Sequence, residues 1–178
     1  MRRVLVVWHS RTGLARAMAD ALEEGASLAA TGMESELTLV RRAAGEATVE
    51  DLLSSDGYLF CAPENLAMVS GEMAEFFQRV YYHVFDTHES SSGYGESSRL
   101  LGRPYGLAVA AGSDGTSAAR QVARICQGWR LKPVSEPLII RNGLSQTVAN
   151  ILRPKTCSPE AVAQCRELGG LVASRVLL

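Results

Sequence analysis

The run Val4-Leu5-Val6-Val7-Trp8, followed by His9-Ser10-Arg11-Thr12-Gly13-Leu14-Ala15-Arg16, decides the fold. A short continuous apolar run that stops at a polar turn predicts a strand covered on both faces, the kind found inside parallel sheets. Beyond the turn, Leu14, Met18, Ala21, Leu22 and Leu28 recur at helical spacing, with Arg16, Asp20, Glu23 and Glu24 on the opposite face. Gly32 marks the expected stop. Strand, turn and amphipathic helix make the opening of a βαβ unit.

The same grammar repeats along the chain. Leu37-Thr38-Leu39-Val40 reads as a second strand, and Thr48 with Asp51 three residues on predicts a capped short helix. Asp56-Gly57 turns into a third strand at Tyr58-Leu59-Phe60-Cys61. Ser70 is expected to cap a helix carrying Met73, Phe76, Phe77, Val80, Tyr81 and Val84. The Ser- and Gly-rich stretch from Asp86 to Arg103, with Tyr94 inside it, reads as an exposed loop or lid. A fourth strand at Leu107–Ala111 precedes a helix on Ala119, Val122, Ala123, Cys126 and Trp129. Leu138-Ile139-Ile140 is the fifth strand, and Gly143 to Lys155 carries one extra helical turn or two. Ser158-Pro159 opens a last helix on Val162, Cys165, Leu168 and Val172. Five such units predict an α/β fold: a doubly wound, five-stranded parallel sheet in the order 2-1-3-4-5, helices on both faces, as one domain over residues 1–178.

Composition narrows the function. Of 178 residues, 18 are Lys or Arg and 19 Asp or Glu, a formal charge of -1. That balance gives no basic excess for nucleic acid. No apolar stretch approaches the ~18 residues of a membrane helix, and no signal-peptide pattern precedes the first strand, so a soluble cytoplasmic protein is expected. Cys61, Cys126, Cys157 and Cys165 form no metal or disulfide framework, and burial is expected of Cys61 and Cys126. His83 and His88 have the wrong spacing for two ligands on one helix face.

In a doubly wound sheet a ligand lies beyond the strand carboxyl ends, between strands 1 and 3, so the loops after strands 1, 3 and 4 matter. The first offers Ser10, Arg11, Thr12 and Gly13 before a helix start at Leu14 and Ala15; this is a phosphate cradle or simply a helix cap. It lacks the endings of a P-loop or a dinucleotide fingerprint. The second, Pro63-Glu64-Asn65-Leu66, sets polar groups beside apolar ones, as a planar amphipathic ligand requires; it also reads as a connector. The third, Ala111-Gly112-Ser113-Asp114-Gly115, allows close backbone approach, or is a turn with a cap. A receiver domain would need acids where Trp8-His9 and Cys61 stand. A small tyrosine phosphatase would need a cysteine in the first loop.

Taken in order, the three loops resemble those of flavodoxin-family proteins. Ser10-Arg11-Thr12-Gly13 is similar to the FMN phosphate loop. Pro63-Glu64-Asn65-Leu66, then Ser70-Gly71-Glu72 and Phe76-Phe77-Gln78-Arg79-Val80-Tyr81, resemble the second flavin loop and following helix of NAD(P)H-dependent FMN and quinone reductases. Ala111-Gly112-Ser113-Asp114-Gly115 resembles the third. Leu14 and Ala15 depart from the polar residue and hydroxyl often found there in carrier flavodoxins, which leaves phosphate binding to backbone amides, Ser10, Thr12 and an arginine; Gln78 stands where related reductases often have Asp, a departure on the helix surface rather than at the flavin. The resemblance implies FMN, with Pro63 to Leu66 on one side of its ring, Asn65 at its polar edge, and Gly112 to Gly115 on the other. It implies NADH or NADPH as co-substrate, a small-molecule electron acceptor such as a quinone, and a homodimer or homotetramer, with Tyr81-Tyr82 in the contact or in the core. No protein nucleophile or base is required, so none is named. The alternative is a one-electron carrier or a non-catalytic flavin- or anion-binding module. Loops two and three hold no aromatic residue to sandwich the ring. Carriers are also strongly acidic, whereas Arg11, Arg16, Arg41 and Arg42 are expected near this site; both points favour the reductase.

Overall fold

Val4, Leu5, Val6 and Val7 are completely buried, because the strand that carries them has a parallel neighbour on each side and helices over both faces. The computed structural model describes residues 1–85 and 98–178. Strand β1 (Arg2–Trp8) leads into helix α1 (Leu14–Gly32), then β2 (Leu37–Ala43), α2 (Val49–Leu53) and β3 (Gly57–Asn65). A short β4 (Met68–Val69) precedes α3 (Gly71–Val80); β5 (Pro104–Ala111), α4 (Thr116–Gly128), β6 (Lys132–Pro133) and β7 (Leu138–Arg141) follow. The one-turn α5 (Val148–Ile151) and the long α6 (Pro159–Leu177) complete the chain.

The sheet order is β2-β1-β3-β5-β6, with β7 also on β5 and β4 paired to β3. All pairings are parallel except β3 with β4. The expected order 2-1-3-4-5 is therefore present. Its last strand comes in two pieces: β6 pairs Pro104 and Tyr105, and β7 pairs Ala108 to Ala111.

Two-residue alternation sorts the apolar runs into two cores. Leu5, Val7, Tyr58, Phe60, Leu107 and Val109 meet α3 and α4 through Phe76, Phe77, Val122 and Trp129. Val4, Val6, Leu59, Cys61, Ala108 and Ala110 meet α1 and α6 through Met18, Leu22, Cys165 and Val172. Continuous strand hydrophobicity is thus the mark of a sheet with two covered faces. Tyr82 is 78% exposed and belongs to neither core.

Capping follows the sequence at two of three helices. Thr48 Oγ1 accepts from the Asp51 N–H at 3.0 Å, and the Asp51 carboxylate accepts from the Thr48 N–H at 3.2 Å. Ser158 Oγ accepts from the Ala161 N–H at 3.2 Å. Ser70 departs from expectation: it precedes α3, but its buried hydroxyl caps nothing and has no partner among the described residues. The stretch expected to be exposed up to Arg103 is buried at Ser98 and Leu100; the rest of the expected lid, residues 86–97 with Tyr94, lies outside the described residues.

Asp51 ties the β2 edge to the rest. Its buried carboxylate takes Arg3 at 3.2 Å and Arg42 at 3.1 Å besides its cap bonds. Burial pushes its pKa up, but the Thr48 and Arg42 bonds outweigh it and hold the carboxyl below its ordinary value. A lowered folded pKa contributes stability above the unfolded value of ~3.9, lost as pH falls through the folded value. Asp51→Asn is expected to cost about 1–3 kcal/mol in urea unfolding at pH 7. The gap between variant and parent should narrow in acid, below the ordinary carboxylate range.

Candidate functional site

The carboxyl ends of β1, β3 and β5 bring the three loops together where the strand order reverses. In the first, Gly13 adopts φ +103° and its N–H donates to Ser10 Oγ at 3.1 Å. The Ala17 N–H makes the first α1 bond, to Gly13 O at 3.0 Å. The amides of Leu14, Ala15 and Arg16 are therefore left without an intrahelical acceptor and form a positive pole.

The second segment is a hairpin rather than an open loop. β3 runs on to Asn65, and Glu64 pairs with Val69 and Asn65 with Met68 in β4. Its turn residues Leu66 and Ala67 hold φ of 52° and 60°, the doubly left-handed conformation that favours tight hairpins. Leu66 is 91% exposed and does not wall the cavity. Glu64 has a structural partner: its carboxylate accepts from the Gly115 N–H at 2.9 Å, joining the second loop to the third.

In that third loop Gly115 has φ +78°, and a Cβ there would meet Ile139 Cγ2 at 2.5 Å. Asp114 accepts from the Thr116 N–H at 3.1 Å and its hydroxyl at 2.8 Å. Arg141 Nε donates to Ser113 O at 2.7 Å. Ser113, Asp114 and Gly115 thus start α4 instead of lining the cavity.

The loops enclose a cavity of about 150 Å³, walled by Ser10, Arg11, Thr12, Leu14 and Ala15, by Pro63, Glu64 and Asn65, and by Ala110, Ala111 and Gly112. A fourth wall, which the loop reading missed, comes from Asn142, Gln146, Ile151, Leu152 and Lys155. The Lys155 N–H donates to Thr12 O at 2.7 Å. A Cβ on Gly112 would lie 2.6 Å from the Gln146 amide. A backbone bond carries no side-chain signature, so only the extra helical turn was visible in sequence.

Charge at the mouth is mostly paired. Arg11 lies 3.3 Å from Glu72, and His9 Nε2 lies 3.4 Å from the same oxygen. Burial lowers the His9 pKa and Arg11 adds to this, with Glu72 opposing. The Glu72 carboxyl is held below its ordinary value, first by its own backbone N–H, against burial, with help from His9 and Arg11. Arg41 pairs with Asp20 and Glu23 and lies over the Trp8 ring, and Arg42 pairs with Asp51. The positive field expected of Arg11, Arg41 and Arg42 is therefore largely cancelled by partners distant in sequence.

Cys61, Cys126 and Cys165 are buried, all four thiols are free, and burial pushes every one of their pKa values up. Among the described residues no three metal-ligating side chains cluster, and no helix is long and apolar enough to cross a membrane. A larger groove of about 1050 Å³ is lined by Tyr81, Phe85, Tyr105, Arg124, Trp129 and Lys132, none of which walls the switch-point cavity.

No family model matches the chain. Over 80 residues, 45% of this chain and 40% of the relative's length, it is 40% identical to a flavodoxin from Aquifex aeolicus (strain VF5). A flavodoxin from the domain Archaea superposes with a TM-score of 0.69 at 13% identity, covering 99% of both chains. The rubredoxin oxygen:oxidoreductase of Desulfovibrio gigas superposes with a TM-score of 0.72 at 11% identity, over 99% of this chain and 36% of that one. Strand order, two-faced core and these superpositions agree that the chain has the flavodoxin-like fold.

Proposed function

We propose that the chain binds FMN across the three loops and uses it to pass electrons from NADH or NADPH to a small acceptor such as a quinone. The observation that carries this reading is the meeting, at the switch point, of the open α1 N-terminus, the β3 end and the Gly112 backbone. The donor set fits a phosphate monoester: amides of Leu14 to Arg16, with the Ser10 and Thr12 hydroxyls beside them. Sequence similarity to a flavodoxin supports the same ligand.

FMN, when bound, supplies the hydride- and electron-transfer chemistry that no side chain here provides. The chain's own part is to bind and orient. The α1 pole holds a phosphate, Asn65 offers an amide to a polar ring edge, and Pro63 and Gly112 allow close approach of backbone to a planar group. Glu64 keeps the second and third loops at fixed separation through Gly115. No aromatic side chain among the described residues walls the cavity, which supports an open ring face and hence a reductase.

A one-electron carrier is the second reading, favoured by the flavodoxin relatives and by the paired arginines. Reconstitution with FMN followed by steady-state oxidation of NADH and NADPH with a quinone separates the two. Turnover without an added reductase is the expected result. Tight FMN binding without turnover would favour the carrier, and no perturbation of the flavin spectrum would remove both.

A further inference from the structure

We infer that residues 142–157 form a displaceable strap, which fills part of the space that a flavin needs between the three loops and so makes FMN an exchangeable ligand. This rests on the FMN reading above and deepens it. A strand-to-helix connection in such folds is ordinarily ~2–6 residues, yet here the chain runs from Arg141 to Pro159 before the last helix begins.

The strap holds its own shape. Lys155 Nζ donates to the carbonyls of Asn150, Ile151 and Arg153 at 3.0–3.1 Å, so its three hydrogens are committed to closing α5. The Asn150 amide donates to Ser145 O and Oγ at 3.1 Å. None of this ties the strap to the body. Attachment at the loops is the Asn142 N–H to Ala111 O at the hinge end and the Lys155 N–H to Thr12 O at the far end, with Gln146 resting against Gly112 between them.

Apart from Cys157, which packs against the core between α1 and α6, little apolar area secures it. No residue from 142 to 157 is buried, and Val148, Ile151 and Leu152 are 91%, 53% and 81% exposed. A self-bonded segment with few buried contacts opens at low free energy. Gly143, at φ +72° just after β7, gives one end backbone freedom.

Closure leaves too little room. The cavity of about 150 Å³ falls below the ~300 Å³ at which small-molecule sites begin. Ligand entry therefore requires the strap to move out of the cavity, and a strap so displaced gives up its Lys155 N–H bond to Thr12 O. A ligand that binds only the open form has its affinity reduced by the open fraction.

Two readouts test this with FMN as the probe. Hydrogen exchange at the Lys155 amide of the unaltered protein is expected to accelerate when FMN saturates it; slower exchange would mean the strap closes on the flavin and would overturn the proposal. Lys155→Ala removes the three α5 bonds and loosens the strap. Its FMN affinity is expected to rise at least threefold with faster association. Unchanged or weaker binding overturns the proposal, weaker binding being the mark of a lysine that contacts phosphate. If FMN binds neither protein, the FMN reading fails instead.

Discussion

Gly169→Ala is expected to lower unfolding stability by about 2–4 kcal/mol, although alanine is the better helix former. Helices α1 and α6 cross on one face of the sheet almost backbone to backbone. A Cβ on Gly169 would fall on the carbonyl oxygen of Leu22, and one on Gly25 would fall on that of Arg166. Neither obstacle is a flexible side-chain end, so relief requires the helices to separate. Separation would loosen Leu22, Ala26, Cys165 and Val172, all completely buried around the crossing. The helix-propensity gain of ~1 kcal/mol offsets only part of this. Gly32→Ala is the control, because a Cβ there meets nothing within 4 Å; it should be neutral or slightly stabilising. Gly25→Ala with Gly169→Ala should cost less than the sum of the two, since one displacement accommodates both. Urea unfolding of the four variants measures this, and additive costs would show that the glycines act separately.

That crossing also marks where reading the sequence ends. The Thr48–Asp51 box and Ser158-Pro159 are local signals, each satisfied by neighbours a few residues away, and the β1 run announces its two-sided burial by composition alone; the structure keeps all three. Gly25 and Gly169 are long-range partners that look in sequence like weak points in two helices. The hairpin at Leu66–Ala67 has no glycine or asparagine to announce its left-handed turn. Arg41 and Arg42 look like site charge until Asp20, Glu23 and Asp51 fold against them. At the candidate site the first loop and the β3 end were legible because strand ends fix them. The strap was not, since its dock is an amide on Thr12 O.

Gly13→Ala is expected to lower FMN affinity about a hundredfold, ~2.7 kcal/mol, while leaving riboflavin binding nearly unchanged. The φ of +103° is one an L residue adopts only under strain, so alanine would swing the peptide that presents the α1 pole. Losing aim at a phosphate dianion forfeits charge-assisted hydrogen bonds of about 1.5–3 kcal/mol each. Riboflavin has no phosphate and should not register the change. A Cβ at this position would also lie 2.9 Å from Lys155 O, pressing on the strap where it docks, a small effect that acts on both ligands alike and drops out of their ratio. The ratio of FMN to riboflavin affinity is therefore the quantity to measure, by quenching of flavin fluorescence. A parallel loss for both ligands would point to a damaged cavity. An unchanged ratio would mean that the phosphate lies away from the α1 N-terminus, and the first loop would then be no more than a helix cap.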